Sequence, residues 1–210
     1  MTSTLNNIFD KTYVINLRSR KDRLEQCNLE FIKHNIDYNV FSAKQYKGDI
    51  PAGKIKLPGN VGCVLSHVEI IKEASLLGLN NILIFEDDVV FCEDFNNKFN
   101  SIINELPADW DMFYLGGNTI EPDKNLKKVT SNIFKTTGTK TTHAYAIKNT
   151  IFKKVIKGQL EFNYPVDGFY RNIIQPAHNC YIVNPNMAWQ RPGFSDIQCG
   201  FRDYNLGKSM

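Results

Sequence analysis

The sequence predicts an α/β protein, a single domain with a mostly parallel central sheet and helices on its faces. Two observations carry this prediction. Short apolar runs rich in β-branched residues alternate with segments whose apolar residues recur at helical spacing, in the order strand, helix, strand, helix, strand. Within residues 82–91, one apolar run leads into Glu86, Asp87 and Asp88 and a second leads out. If the first run is a strand, the acids sit at its carboxyl end, where open α/β sheets place their ligands. A chain of 210 residues suits one domain, residues 1–210, with its core over about 12–197 and residues 1–10 and 200–210 peripheral.

Residues 12–17 open the sheet as a strand. The polar residues 18–23 start a helix whose buried face is Leu24, Cys27, Phe31 and Ile32, ending near His34 and Asn35. Residues 38–41 form a second strand. Residues 43–59 carry Gly48, Pro51, Gly53, Pro58 and Gly59 and read as a long loop, a feature usually functional or mobile in a compact domain. Asn60 then caps a helix with Val61, Val64, Leu65, Val68 and Ile71 on one stripe, stopped at Gly78. After the strand at 81–85, Phe95, Phe99, Ile102, Ile103 and Leu106 mark an amphipathic helix closed by Pro107. Residues 111–115 are another buried strand, ended by Gly116 and Gly117. The second half is less regular. Residues 118–140 read as a polar loop or hairpin, and 141–147 as a strand. Asn149 caps a short helix that stops at Gly158. Residues 163–168 form a turn leading to a short helix through Ile174, and 179–183 a last strand before a tail rich in turn formers.

The composition, 42% hydrophobic and 22% charged, is that of a globular protein able to bury a core. A net charge of +3 gives no sign of bulk phosphate-backbone binding, so nucleic acid is not an expected partner. Five widely spaced cysteines argue against a disulfide framework and a zinc ribbon, and for a reducing compartment. Residues 1–10 lack the apolar centre of a secretory signal, and no stretch approaches the roughly 18 apolar residues of a spanning helix. The expectation is a cytoplasmic protein, with peripheral contact to a membrane surface left open.

Three adjacent carboxylates repel one another and need compensation if buried, which a hard cation would supply through oxygen ligands. Strand alternation puts Glu86 and Asp88 on one side and Asp87 on the other. The same residues also read as a solvated acidic turn. His67, alone on its helix beside Ser66, reads first as a structural hydrogen-bond donor. The pair His67 and Glu69 matches half of a deaminase signature whose Pro-Cys-x-x-Cys half is missing, which removes that reading. Asp167 sits in a Pro/Gly turn and reads either as a turn former or as a general base. Residues 189–197 mix polar groups with aromatics, as a contact surface or a packed loop. No Gly-x-x-x-x-Gly-Lys or Gly-x-Gly-x-x-Gly occurs, which removes the commonest NTPase and dinucleotide-binding classes. A receiver-like or Mg²⁺-dependent phosphotransfer domain fits poorly, since receivers carry their acidic pair after the first strand.

Taken in order, these segments resemble glycosyltransferase family 25, the group of lipooligosaccharide and collagen galactosyltransferases. The resemblance rests on Tyr13-Val-Ile-Asn-Leu17 with Arg20, Asp22 and Arg23, then Gly62-Cys-Val-Leu-Ser-His67, then Phe85-Glu-Asp-Asp-Val89. It continues with Thr142-His-Ala-Tyr-Ala-Ile147, Pro165-Val-Asp167 and Ser195-Asp-Ile197. It implies a GT-A-type, Rossmann-like nucleotide-sugar-binding fold and inverting transfer of galactose or glucose from a UDP-sugar to a glycan or glycoprotein hydroxyl. It also implies Mn²⁺ or Mg²⁺ on the acidic motif, here Glu86 and Asp88 by alternation. Asn16 and Arg20 would lie near the nucleotide, Ser66 and His67 near the donor, and Asp87 on the ribose or local backbone. The expected base is Asp167, with Asp196 and Asp111 as rivals. A silent binding module on the same fold is the alternative.

Overall fold

The computed structural model describes residues 5–203, so the segments expected to be peripheral lie partly outside the described residues. Strands β1 (Lys11–Asn16), β2 (Asn39–Ser42), β3 (Asn81–Glu86) and β4 (Val89–Phe91) alternate with helices α1 (Lys21–Lys33) and α2 (Pro58–Leu76). Helix α3 (Phe95–Ile102), β5 (Met112–Tyr114), β6 (Leu126–Lys128), β7 (Ile133–Thr136) and β8 (Ala144–Lys148) follow. The chain continues through α4 (Asn149–Gln159), α5 (Val166–Phe169), β9 (Cys180–Val183), β10 (Ala188–Gln190), β11 (Gly193–Ser195) and β12 (Gly200–Arg202).

One eight-stranded sheet has the order β2-β1-β3-β8-β5-β9-β7-β6. β1 lies parallel to β2 and β3, and β5 to β9. β8 runs against both β3 and β5, and β7 against both β9 and β6, so the other six strands point one way. The α/β expectation holds with a mixed sheet: residues 141–147 supply a strand, but an antiparallel one inserted at the centre. Apolar patterning reports burial and is silent about strand direction.

Side-chain alternation on β3 divides the core. Ile82 and Ile84 face a layer built by α2, α4 and residues 166–174, while Leu83 and Phe85 face α1 and α3. Leu83 and Phe85 meet Cys27, Phe31, Phe95 and Phe99, with the Phe31 and Phe85 rings edge-to-face at 5.2 Å. A strand buried on both faces explains the unbroken apolar run read at residues 82–85.

Several local expectations change. Ile32 does not join the buried face of α1; it is 62% exposed. Helix α2 starts at Pro58, whose fixed φ suits a first turn, so Asn60 lies inside the helix and is not its cap. Gly78, at φ 68°, does end that helix. Gly158 lies within α4 and does not stop it; the glycine there makes room for the Phe169 ring, which a Cβ would meet at 2.4 Å. Residues 118–140 contain the hairpin β6–β7, which extends the sheet edge. The tail is also structured: β10 pairs with β4, and the β11–β12 hairpin follows. His143 Nε2 lies 3.1 Å from the Ala188 carbonyl and ties β8 to that tail. No helix among the described residues is long and apolar enough to cross a membrane.

Candidate functional site

A cavity of about 490 Å³ opens where β3 ends. Its walls are Ile15 and Leu17 from β1 and its exit, residues 43–47, the first turns of α2, the acidic triplet, and parts of the tail from Gln190 to Arg202. That volume is in the range of small-ligand sites, and its place is the carboxyl edge of the parallel strands.

Glu86 is the last residue of β3 and keeps the parity of Ile82 and Ile84, so it faces α2. Its Oε1 accepts a 2.6 Å hydrogen bond from the Thr142 hydroxyl and lies 3.8 Å from His67 Nε2, an electrostatic contact too long for a hydrogen bond. Burial pushes this carboxyl up, but His67 and the Thr142 hydroxyl outweigh it and hold the group below the usual range. Asp87 turns to the opposite side. Its Oδ2 accepts from Asn16 Nδ2 at 2.7 Å and its Oδ1 from Arg23 at 2.7 Å; burial still pushes it up against that ion pair.

Asp88 departs from the expected alternation, because the strand stops at Glu86 and residues 87–88 form a turn. It shares Arg23 with Asp87, at 3.3 Å, and its Oδ2 also accepts from Gln190 Nε2 at 3.4 Å. Its Oδ1 is buried with no hydrogen-bond partner. Burial first, and the charge on Glu86 second, push the Asp88 carboxyl up to about 7. The triplet is therefore not a solvated turn: Asp87 and Asp88 are buried and share Arg23, and Glu86, half-buried, is held by Thr142.

The opposite wall is loop 43–47. Ser66 Oγ donates to the Gly62 carbonyl at 2.7 Å and accepts from Lys44 N at 2.8 Å, which pins the loop to α2. Gly62 makes that approach sterically feasible: a Cβ there would sit 2.3 Å from the Lys44 carbonyl oxygen.

The cavity thus gathers Ser66, His67, Glu86, Asp87 and Asp88, but not Asn16, Arg20 or Asp167. Asn16 acts behind Asp87, and Arg20 behind Asp196, which it meets at 2.5 Å. Asp167 lies on α5 with Oδ1 accepting from the Gly168 amide. Its rival Asp196 is in the wall, whereas Asp111 precedes β5 at the far end of the sheet, taken up by Thr150 and the Asn179 amide. Arg23 and Gln190 received no site role from the sequence. The available signal was Arg23 in the first turn of α1, where a cation opposes the helix dipole and calls for an acid; nothing marked Gln190.

Among the described residues no group of three or more His, Cys, Asp or Glu side chains could hold a metal ion alone. The unpartnered Asp88 oxygen beside Glu86 suits the other arrangement, in which Mg²⁺ or Mn²⁺ takes one or two carboxylates and completes its shell with substrate phosphate and water.

Residues 54–170 match the family model described as glycosyltransferase family 25 (LPS biosynthesis protein). The chain is 30% identical over 138 residues to procollagen galactosyltransferase 1-A of Xenopus laevis, covering 55% of this chain and 22% of that protein. It is 30% identical over 138 residues to the human inactive glycosyltransferase 25 family member 3, covering 55% of this chain and 23% of that one. Identity to a procollagen lysyl hydroxylase and glycosyltransferase of Acanthamoeba polyphaga mimivirus is 27% over 203 residues, covering 83% of this chain and 22% of that one. The match thus spans less than a quarter of the length of these relatives. Among solved structures, a glycosyltransferase involved in glycosylation of the major capsid of PBCV-1 superposes with a TM-score of 0.51 at 10% identity. That likeness covers 88% of this chain and 94% of the other, and concerns the fold alone.

Proposed function

We propose that this chain, which belongs to glycosyltransferase family 25, moves galactose or glucose from a UDP-sugar to a hydroxyl of a glycan or glycoprotein, with inversion and with Mn²⁺ or Mg²⁺. The observation that carries the reading is the acid cluster with its unpartnered Asp88 oxygen, set in a cavity whose walls also include Lys44, Lys47, Arg191 and Arg202. Cations around a strand-end cavity suit a diphosphate. Galactose is favoured by the named activity of the Xenopus relative. Five unpaired cysteines support a cytoplasmic setting.

A divalent ion on Glu86 and Asp88 would act as a Lewis acid toward charge developing on the departing diphosphate. The chain's own residues do the rest. Arg23 clamps Asp87 and Asp88, and Asn16 fixes Asp87 from behind, so the acidic edge is held before ligand arrives. The acceptor hydroxyl attacks the anomeric carbon on the face opposite the leaving group while a carboxylate takes its proton. That single displacement inverts the centre and needs no enzyme nucleophile. A base must reach the attacking hydroxyl, so Asp196, in the cavity wall, ranks ahead of Asp167 on α5.

The test is a UDP-sugar screen with Mn²⁺, reading UDP release. Turnover with UDP-galactose or UDP-glucose is expected in wild type and its loss in Asp88→Ala; unchanged turnover in that variant would sink the metal assignment. Asp196→Asn should lower kcat by about 10²-fold or more while Asp167→Asn changes it little. The inactive human relative favours a second reading, a silent binding module. UDP binding with no turnover on any donor would select it.

A further inference from the structure

Tyr145 and Tyr170 are fully buried behind the cavity and line no part of it. Tyr145 OH lies 2.7 Å from His67 Nδ1 and 3.1 Å from Tyr170 OH, making a chain of three polar atoms that ends on a cavity residue. The other ring nitrogen, His67 Nε2, is buried, has no hydrogen-bond partner, and sits 3.8 Å from Glu86 Oε1. Burial raises both phenol groups above their ordinary value, so each keeps its proton.

With a neutral imidazole the chain can run in two directions. If His67 carried its proton on Nδ1, it would donate to Tyr145, and Tyr145 to Tyr170. The Tyr170 proton would then have no acceptor, since Tyr145 is its hydrogen-bond partner among the described residues. A bare Nε2 lone pair would also face the Glu86 carboxylate. In the other direction Tyr170 donates to Tyr145 and Tyr145 donates to Nδ1, leaving the proton on Nε2, pointed at Glu86. Every buried proton then has an acceptor or a favourable charge. We infer that Tyr145 is a positioning residue that fixes His67 as the Nε2–H tautomer, so that the buried ring presents its proton to the Glu86 carboxylate at the cavity edge. Two residues of the Thr142-His-Ala-Tyr-Ala-Ile147 segment then serve the same edge of the site, Thr142 by holding Glu86 and Tyr145 by setting the ring beside it. The tautomer also sets His67 apart from the metal-holding acids, because an Nε2–H nitrogen has no lone pair for a cation. The effect on ligand binding, exerted through Glu86, rests on the UDP-sugar reading; the tautomer does not.

The test is nitrogen-15 NMR of the imidazoles in the labelled full chain at mildly alkaline pH, with His67→Gln assigning the signals. Wild type should show a protonated Nε2 and a bare Nδ1 at His67; a proton on Nδ1 overturns the proposal. Tyr145→Phe should lower the share of the Nε2–H form, leaving only the pull of Glu86, whereas Tyr170→Phe, which removes an equally buried hydroxyl but keeps the link to Nδ1, should retain it. An unchanged nitrogen pattern in Tyr145→Phe also overturns it. If Tyr145→Phe does not fold, wild type and Tyr170→Phe still decide. With UDP as probe, Tyr145→Phe should bind about tenfold more weakly in calorimetry. Wild type that fails to bind UDP would count against the functional reading and leave the tautomer result standing.

Discussion

At Asp88 the chain accepts instability. Its carboxyl titrates at about 7 in the folded state against 3.8 ordinarily, through burial and then the charge on Glu86. A raised folded value means that the native state resists ionising where the unfolded chain ionises freely. The cost is nil below about pH 4, grows up to about pH 7 and is constant above it. Asp88→Asn, with divalent ions chelated, should therefore raise stability by up to about 4 kcal/mol at pH 8, with the gain fading by about pH 4. Denaturant titrations at both pH values check this; an equal gain at both would mean that charge is not the cause. The triplet itself was legible in the sequence, as was the need for a compensating partner. Its division of labour was not, because alternation governs Glu86 but lapses once the turn begins at Asp87. Arg23 was legible as one residue of a family motif and as a cation in the first turn of a helix, but a sequence does not say which acid a distant guanidinium reaches.

Helix α2 and loop 43–47 act as one element of the site. Their junction is the Gly62–Lys44 contact and the two-sided Ser66 hydroxyl. Gly62→Ala should push the Lys44 carbonyl outward, weaken UDP binding by about tenfold and cost about 1–3 kcal/mol, since the intruding Cβ meets backbone rather than a flexible side chain. Calorimetry and denaturation of the same variant test both parts; full affinity would show that the loop does not shape the site. Of the apolar stripe read on α2 from its period, Val61, Val64, Val68 and Ile71 are buried and Leu65 is half-buried, while Ser66, His67 and Ile70 off the stripe are buried as well. The loop's course was not, because its position is set by hydrogen bonds to residues some 20 positions away. Nor was the antiparallel insertion of β8, which reads as an ordinary apolar run.

Across the whole molecule, the sheet supplies the acids and the tail closes the cavity over them. β10 docks on β4, the Arg191 amide donates to the Asp88 carbonyl at 2.7 Å, and the Arg20–Asp196 ion pair holds the following hairpin beside α1. Ending the chain after Arg191 keeps both core layers, so unfolding should stay cooperative while UDP affinity falls by about tenfold or more. Unaltered affinity in that truncation would remove the tail from the site. The sequence marked this region as a contact surface or packed loop, with Asp196 as a rival base, but not its strands, since short strands in a tail acquire their pairing from what they dock against.

The most direct measurement is calorimetric titration of UDP into wild type and Asp88→Ala, each with and without Mn²⁺. Mn²⁺ should strengthen UDP binding to wild type by about tenfold or more, with that gain absent in Asp88→Ala. UDP affinity that ignores Mn²⁺ in wild type, or a metal effect that survives in Asp88→Ala, would contradict a metal–diphosphate site on the acidic triplet.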